Sequence, residues 1–114
     1  MNEEIKNIFT DFKVKNENIP VAHLRYIGSE KTFVVWSIIK DSPVLNGNDE
    51  NLYSAVQIDI DVYSVGNYLE IEKEIKKLMK KNEWLWVEDS SEMYEEDTKL
   101  YHKTLTFEKE RMVY

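Results

Sequence analysis

Hydrophobic and polar positions recur along this chain with two different periods, and each change of period marks an element. Ile5, Ile8, Phe9 and Phe12 fall at i, i+3, i+4 and i+7, the spacing of one helical face. Asn2 is placed to cap that helix, and Glu3 and Glu4 suit the positive end of its dipole. Asn16 to Pro20 ends it, since a proline disfavours helical backbone in the residue before it. Val21 to Ile27 then alternates as a strand, with Ala22, Leu24 and Tyr26 on one face and His23 and Arg25 on the other. Past a turn at Gly28-Ser29-Glu30, Thr32 to Ile39 is β-branched, aromatic and apolar on both faces. It is therefore expected to run centrally in a sheet and to form a hairpin with the strand before it.

Residues 40 to 53 interrupt the pattern. Lys40-Asp41-Ser42-Pro43 and Asn46-Gly47-Asn48-Asp49 are turn-formers, with Val44, Leu45, Leu52 and Tyr53 among them. They predict a long loop, which either offers those apolar side chains to a partner or folds back on its own core. Ser54 to Tyr63 alternates strictly. Val56, Ile58, Ile60 and Val62 point one way, and Gln57, Asp59, Asp61 and Tyr63 the other. A second helix follows, opened by a capping-box-like Asn67 and Glu70 and striped by Tyr68, Ile71, Ile75, Leu78 and Met79. Its lysines gather near the C-terminal end, which favours cations, and Asn82 is the expected left-handed cap. Glu83 to Val87 predicts a strand. So does Lys99 to Glu108, with Tyr101, Lys103, Leu105 and Phe107 opposite His102, Thr104 and Thr106.

The resulting order is α-β-β-β-α-β-β. It predicts a single α+β domain over residues 1–114, with one mixed, mainly antiparallel sheet of four to five strands and two helices packed on one face. Asp59 and Asp61 then fall on the other, more polar face.

Charge narrows the function classes. The net charge is −7, against the Lys/Arg surplus that binding to phosphates draws on. Residues 83 to 97 hold Glu83, Glu88, Asp89, Glu92, Glu95, Glu96 and Asp97 without a base, while residues 73 to 81 hold five lysines and one glutamate. The two runs are either solvated surface or patches that orient the subunit against a complementary neighbour. Cysteine is absent, which removes disulfides and thiolate metal sites. No apolar stretch is long enough to span a bilayer, and residues 1 to 20 lack the continuous apolar core of a signal peptide. Synthesis and folding in a cytosol are expected.

Catalytic chemistry finds little to build on. Asp59 and Asp61 share a face, roughly 7 Å apart along a strand. They suit solvated or interface aspartates better than a divalent-ion site, which needs further oxygen ligands. His23 and His102 sit in no motif, the glycines make no phosphate-cradling loop, and no nucleophile elbow is present. Trp84 and Trp86 border an acidic run, so packing suits them better than base stacking, which goes with a basic groove. No enzyme activity and no cofactor are expected.

Taken together, the amphipathic start, "IPVAHLRYIGSEKTFVVWSII", "SPVLNGNDENLYSAVQIDIDVYSVGNY" and "YEEDTKLYHKTLTFEKE" resemble the small tail completion proteins of long-tailed bacteriophages, the tail terminators or tail-to-head joining proteins. The resemblance runs over residues 5 to 108 and rests on order and spacing. It implies a non-enzymatic virion component at the head–tail junction, made in the host cytoplasm. Such a protein forms a ring, typically a hexamer, that caps the tail tube, ends its growth and meets the head connector. DNA passes through the lumen without specific binding, and no membrane is involved. Candidate contact residues toward sister subunits, the tube protein and the connector are Pro43, Val44, Leu45, Leu52, Tyr53, Asp59, Asp61, Lys77, Lys80, Lys81, Glu92, Tyr94, Glu95 and Glu96. The alternative from a different class is a small acidic cytosolic adaptor or immunity-type protein that binds a basic protein partner.

Overall fold

The computed structural model describes residues 2–45 and 51–112, with only the backbone described at residues 2, 44, 45, 51–53, 111 and 112. Helix α1 (Asn2–Ile8) leads into a two-stranded hairpin of β1 (Lys13–Val14) and β2 (Glu17–Asn18). A larger sheet is built from β3 (Val21–His23), β4 (Phe33–Leu45), β5 (Asn51–Ser64), β6 (Leu85–Asp89), β7 (Met93–Glu95) and β8 (Leu100–Met112), with α2 (Leu69–Lys81) between β5 and β6. Its order is β3-β4-β5-β8-β6, and β7 also pairs with β8. The fold is thus α+β with two helices, as expected, but the large sheet has six strands and a separate two-stranded sheet accompanies it.

The core lies between the helices and one sheet face. Ile5 and Phe9 of α1, Phe12 after it, and Ile71, Ile75 and Met79 of α2 close over Val34, Trp36, Val56, Ile58, Ile60, Val62, Leu105 and Phe107. The strict alternation of β5 is what makes this possible, because it delivers a continuous apolar face to the helices and a polar face to the outside.

The structure departs from the sequence expectations at several places, each with a physical reason. The first helix stops at Ile8. Asp11 takes a positive φ of 54°, and Phe12 reaches the core from beyond the helix end. The chain then turns back through Lys15 and Asn16, both at positive φ (52° and 67°), with Val14 paired to Glu17. That is the backbone of a two-residue hairpin turn, one usually marked by glycine.

β3 and β4 do not form a hairpin. They run parallel, with Val21 beside Val34 and His23 beside Trp36, so residues 24–32 form a return crossing. Ala22, one residue along from Val21, takes the opposite face.

The expected loop over 40–53 is mostly strand. β4 and β5 stay paired from Phe33↔Tyr63 to Leu45↔Asn51, with a bulge between Ile38 and Lys40. Pro43 fits because β4 is an edge strand here, since β3 ends alongside Trp36. Together with β8, paired to β5 as far as Tyr53↔Met112, this makes a three-stranded ribbon that runs out past the helices. It accounts for a long axis of 52 Å against 27 and 23 Å across.

At the end of α2 the left-handed residue is Glu83 (φ 67°), not Asn82, which has φ −99°. The Trp84 N–H bonds the Met79 carbonyl at 2.9 Å, and the Glu83 N–H bonds the Lys80 carbonyl at 3.0 Å. This reverse-turn helix cap puts Trp84 against Met79 in the core. Among the described residues no helix is long and apolar enough to cross a membrane.

Candidate functional surface

Among the described residues no helix packs on the sheet face away from α1 and α2, and cross-strand registration organises its side chains. Tyr26, Phe33, Tyr63 and His102 come from four separate segments and stack in one ladder, with successive ring centroids 4.4, 4.7 and 4.2 Å apart. Pairing of Phe33 with Tyr63 and of Tyr63 with His102 places three of them. Tyr26 joins by folding back over Gly28, where a Cβ would collide with its ring. Stacking of this kind adds to the area each ring buries.

Beside the ladder runs a row of carboxylates. Asp59 accepts a 2.7 Å hydrogen bond from the Thr106 hydroxyl, and Asp61 accepts one from Thr104. Both threonines are the direct cross-strand partners of their aspartates. His102 Nε2 lies 3.2 Å from Asp61, and its Nδ1 lies 3.6 Å from Glu95 on β7. Burial raises the Tyr63 hydroxyl above its ordinary value, and the negative charges of Asp61 and Glu95 push the same way. Gln57 donates to Glu108 at 3.1 Å on the same face. Asp59 and Asp61 are thus held by neutral or basic donors. Among the described residues no three His, Cys, Asp or Glu side chains converge as a metal site.

The opposite side of the molecule is lysine-rich. Lys77, Lys80 and Lys81 are exposed on α2, across the sheet from Asp59 and Asp61. Glu92, Tyr94 and Glu96 are exposed in and around β7, while Glu95 is half-buried beside His102. Tyr68 donates to Glu92. The two charge runs meet within one chain. Lys76 contacts Asp89 at 3.1 Å, and Lys103 contacts both Asp89 (3.3 Å) and the buried Glu72 (3.0 Å). Burial alone would raise the Asp89 carboxyl, but hydrogen bonds from Trp86, Lys76 and Lys103 outweigh it and hold it below its ordinary value. Lys103 is raised, chiefly by its bond to Glu72 and further by Asp89, against an opposing effect of burial.

The sequence candidates therefore divide among separate surfaces. Asp59 and Asp61 lie on the open face with Glu95 near them, and the lysines lie on the helical side. Pro43 is exposed on the ribbon, whereas the side chains of Val44, Leu45, Leu52 and Tyr53 lie outside the described residues. Sequence reading missed the aromatic ladder. Phe33, Tyr63 and His102 lie on three strands and Tyr26 in the 24–32 crossing, and their meeting depends on a strand pairing that periodicity does not encode. No family model matches the chain, and no curated protein matches it.

Proposed function

We propose that this chain is a tail terminator: a structural virion protein that assembles as a ring, a hexamer, on the finished tail tube of a long-tailed bacteriophage. In this reading the ring ends tube polymerisation and joins the tail to the head connector, and DNA passes through its lumen. The observation that carries the proposal is the helix-free sheet face bearing Asp59, Asp61, Glu95 and Glu108. A carboxylate-lined surface repels phosphates, so a lumen bordered by it lets DNA slide instead of gripping it. The exposed lysines Lys77, Lys80 and Lys81 on α2 and the exposed acids Glu92 and Glu96 around β7 are unlike patches of the kind from which head-to-tail ring contacts are built. The ribbon carrying Pro43, Val44, Leu45, Leu52 and Tyr53 is the element proposed to reach the tube or the connector. The order of segments over residues 5 to 108 supports the same reading.

Immunogold labelling of virions carrying an epitope tag on this protein tests it. Label at the head–tail junction supports the proposal, and virions without label contradict it.

The same carboxylates also suit a small acidic adaptor or immunity-type protein that binds a basic partner. That reading requires a tight one-to-one complex and no ring. A toxin gene beside this reading frame would favour it, where tube, connector and tape-measure genes favour the terminator.

A further inference from the structure

The two lateral edges of the large sheet carry different chemistry. On one side β6 pairs only with β8 among the described residues. Leu85, Trp86 and Val87 on it are 69, 55 and 45% exposed. Three consecutive exposed apolar residues on an edge strand are what folded proteins ordinarily avoid, because such an edge invites a further chain. A tryptophan among them is a typical interface anchor. Its indole is already oriented: Nε1 donates to Asp89 at 2.7 Å, and the Lys76 ammonium lies 4.3 Å from the ring centroid. Glu83, two residues before β6, and Glu88, within it, bracket that apolar run, exposed and without an ion pair among the described residues.

On the other side β3 pairs only with β4 among the described residues. There the chain leaves the sheet at Leu24, 67% exposed, and passes through Ile27, 78% exposed. Arg25 and Lys31 accompany them, exposed and also without an ion pair among the described residues, with Glu30 between. The row His23–Trp36–Ile60–Leu105–Asp89 crosses five strands. Leu24, just past one end of that row, and Glu88, just before its other end, therefore leave the two edges on the same side of it.

We propose that the outer edge of β6 docks onto the 24–31 edge of a second copy of this chain. Trp86 is the apolar anchor, and Glu83 and Glu88 face Arg25 and Lys31. Charge selects the occupant. Copies of a chain with net charge −7 repel one another in general, and this apposition sets unpaired acids against unpaired bases beside matching apolar residues. The contact is heterologous, so each copy keeps one edge of either kind for the next. Closure into a ring rests on the terminator reading above; the pairwise contact does not.

The chain has no cysteine, so Val87→Cys and Ile27→Cys each introduce a lone thiol at an exposed site. The two purified variants, distinguished by tag size, are treated with a short bismaleimide separately and as an equimolar mixture. Circular dichroism first confirms that each is folded. The expected result is a mixed dimer at least about tenfold above either homodimer, the ratio of a contact preference near 1.4 kcal/mol. Adding Trp86→Ala to the Val87→Cys chain should remove the mixed dimer. Adding Glu83→Lys and Glu88→Lys to that chain should weaken it, and Arg25→Glu with Lys31→Glu on the other chain should restore it. Homodimers equal to the mixed product, or a mixed product indifferent to Trp86→Ala, would overturn the proposal. A mixed dimer from a protein without label at the head–tail junction leaves the interface standing and removes the tail reading. Junction label without a mixed dimer removes the interface alone.

Discussion

Lys103 on β8 reaches Glu72 on α2, a carboxylate almost wholly out of water. Removing the lysine strands that charge, whereas replacing both partners with apolar side chains of similar size does not. Lys103→Met should therefore destabilise the fold by about 3 kcal/mol, and the double variant Lys103→Met with Glu72→Leu should recover most of that loss. Urea denaturation of the full double-mutant cycle measures both.

The same cluster sets the pH dependence. Asp89 titrates lower in the folded chain than its ordinary 3.8. Its contribution is present above that value and is lost as pH falls through the lower, folded one. Lys103 and Tyr63 titrate higher in the folded chain than their ordinary 10.5 and 10.0. Their contributions are present below those values and are lost as pH rises through the folded ones. Melting temperature should form a plateau between these limits and fall on both sides, and Asp89→Asn should flatten the acid limb alone.

At the scale of elements, the cap of α2 places a glutamate where glycine is the usual choice. Glu83 holds a left-handed backbone, so Glu83→Gly should stabilise the protein by about 0.5 kcal/mol, read from thermal melts. The reverse-turn cap itself was not evident from sequence, because Asn82 is the more obvious left-handed residue and Glu83 gives no sign of the role. Similar reasons explain the other differences. Lys15 and Asn16 make a hairpin turn without glycine, so the apolar spacing of Ile5 to Phe12 was the stronger signal, although Phe12 reaches the core from outside the helix. Asp41, Ser42 and Pro43 look like loop residues, yet an edge strand past a bulge tolerates them. The direction of β3 against β4 leaves no trace in either strand's own alternation. What was legible was local and periodic: the stripe of α2, the two faces of β5, and the division of β8 between the helices and the open side. Asp59 and Asp61 were placed on the correct face because β5 alternates without exception. The ladder of Tyr26, Phe33, Tyr63 and His102 was not, because its assembly is a property of the sheet order.

Over the whole molecule, an elongated body with helices on one sheet face, carboxylates on the other and unlike edges at its two sides suits repetition around a closed ring. An acidic inner surface and a projecting ribbon then have natural places, the first toward passing DNA and the second toward the tube or connector. Each of these placements belongs to the proposal that the chain ends and joins a phage tail. Deleting the gene from the phage or prophage genome that carries it, and viewing the lysate by electron microscopy, tests that proposal most directly. Filled heads without tails, beside unattached tails of abnormal length, are the expected result. Normal infectious virions with tails of normal length would contradict it.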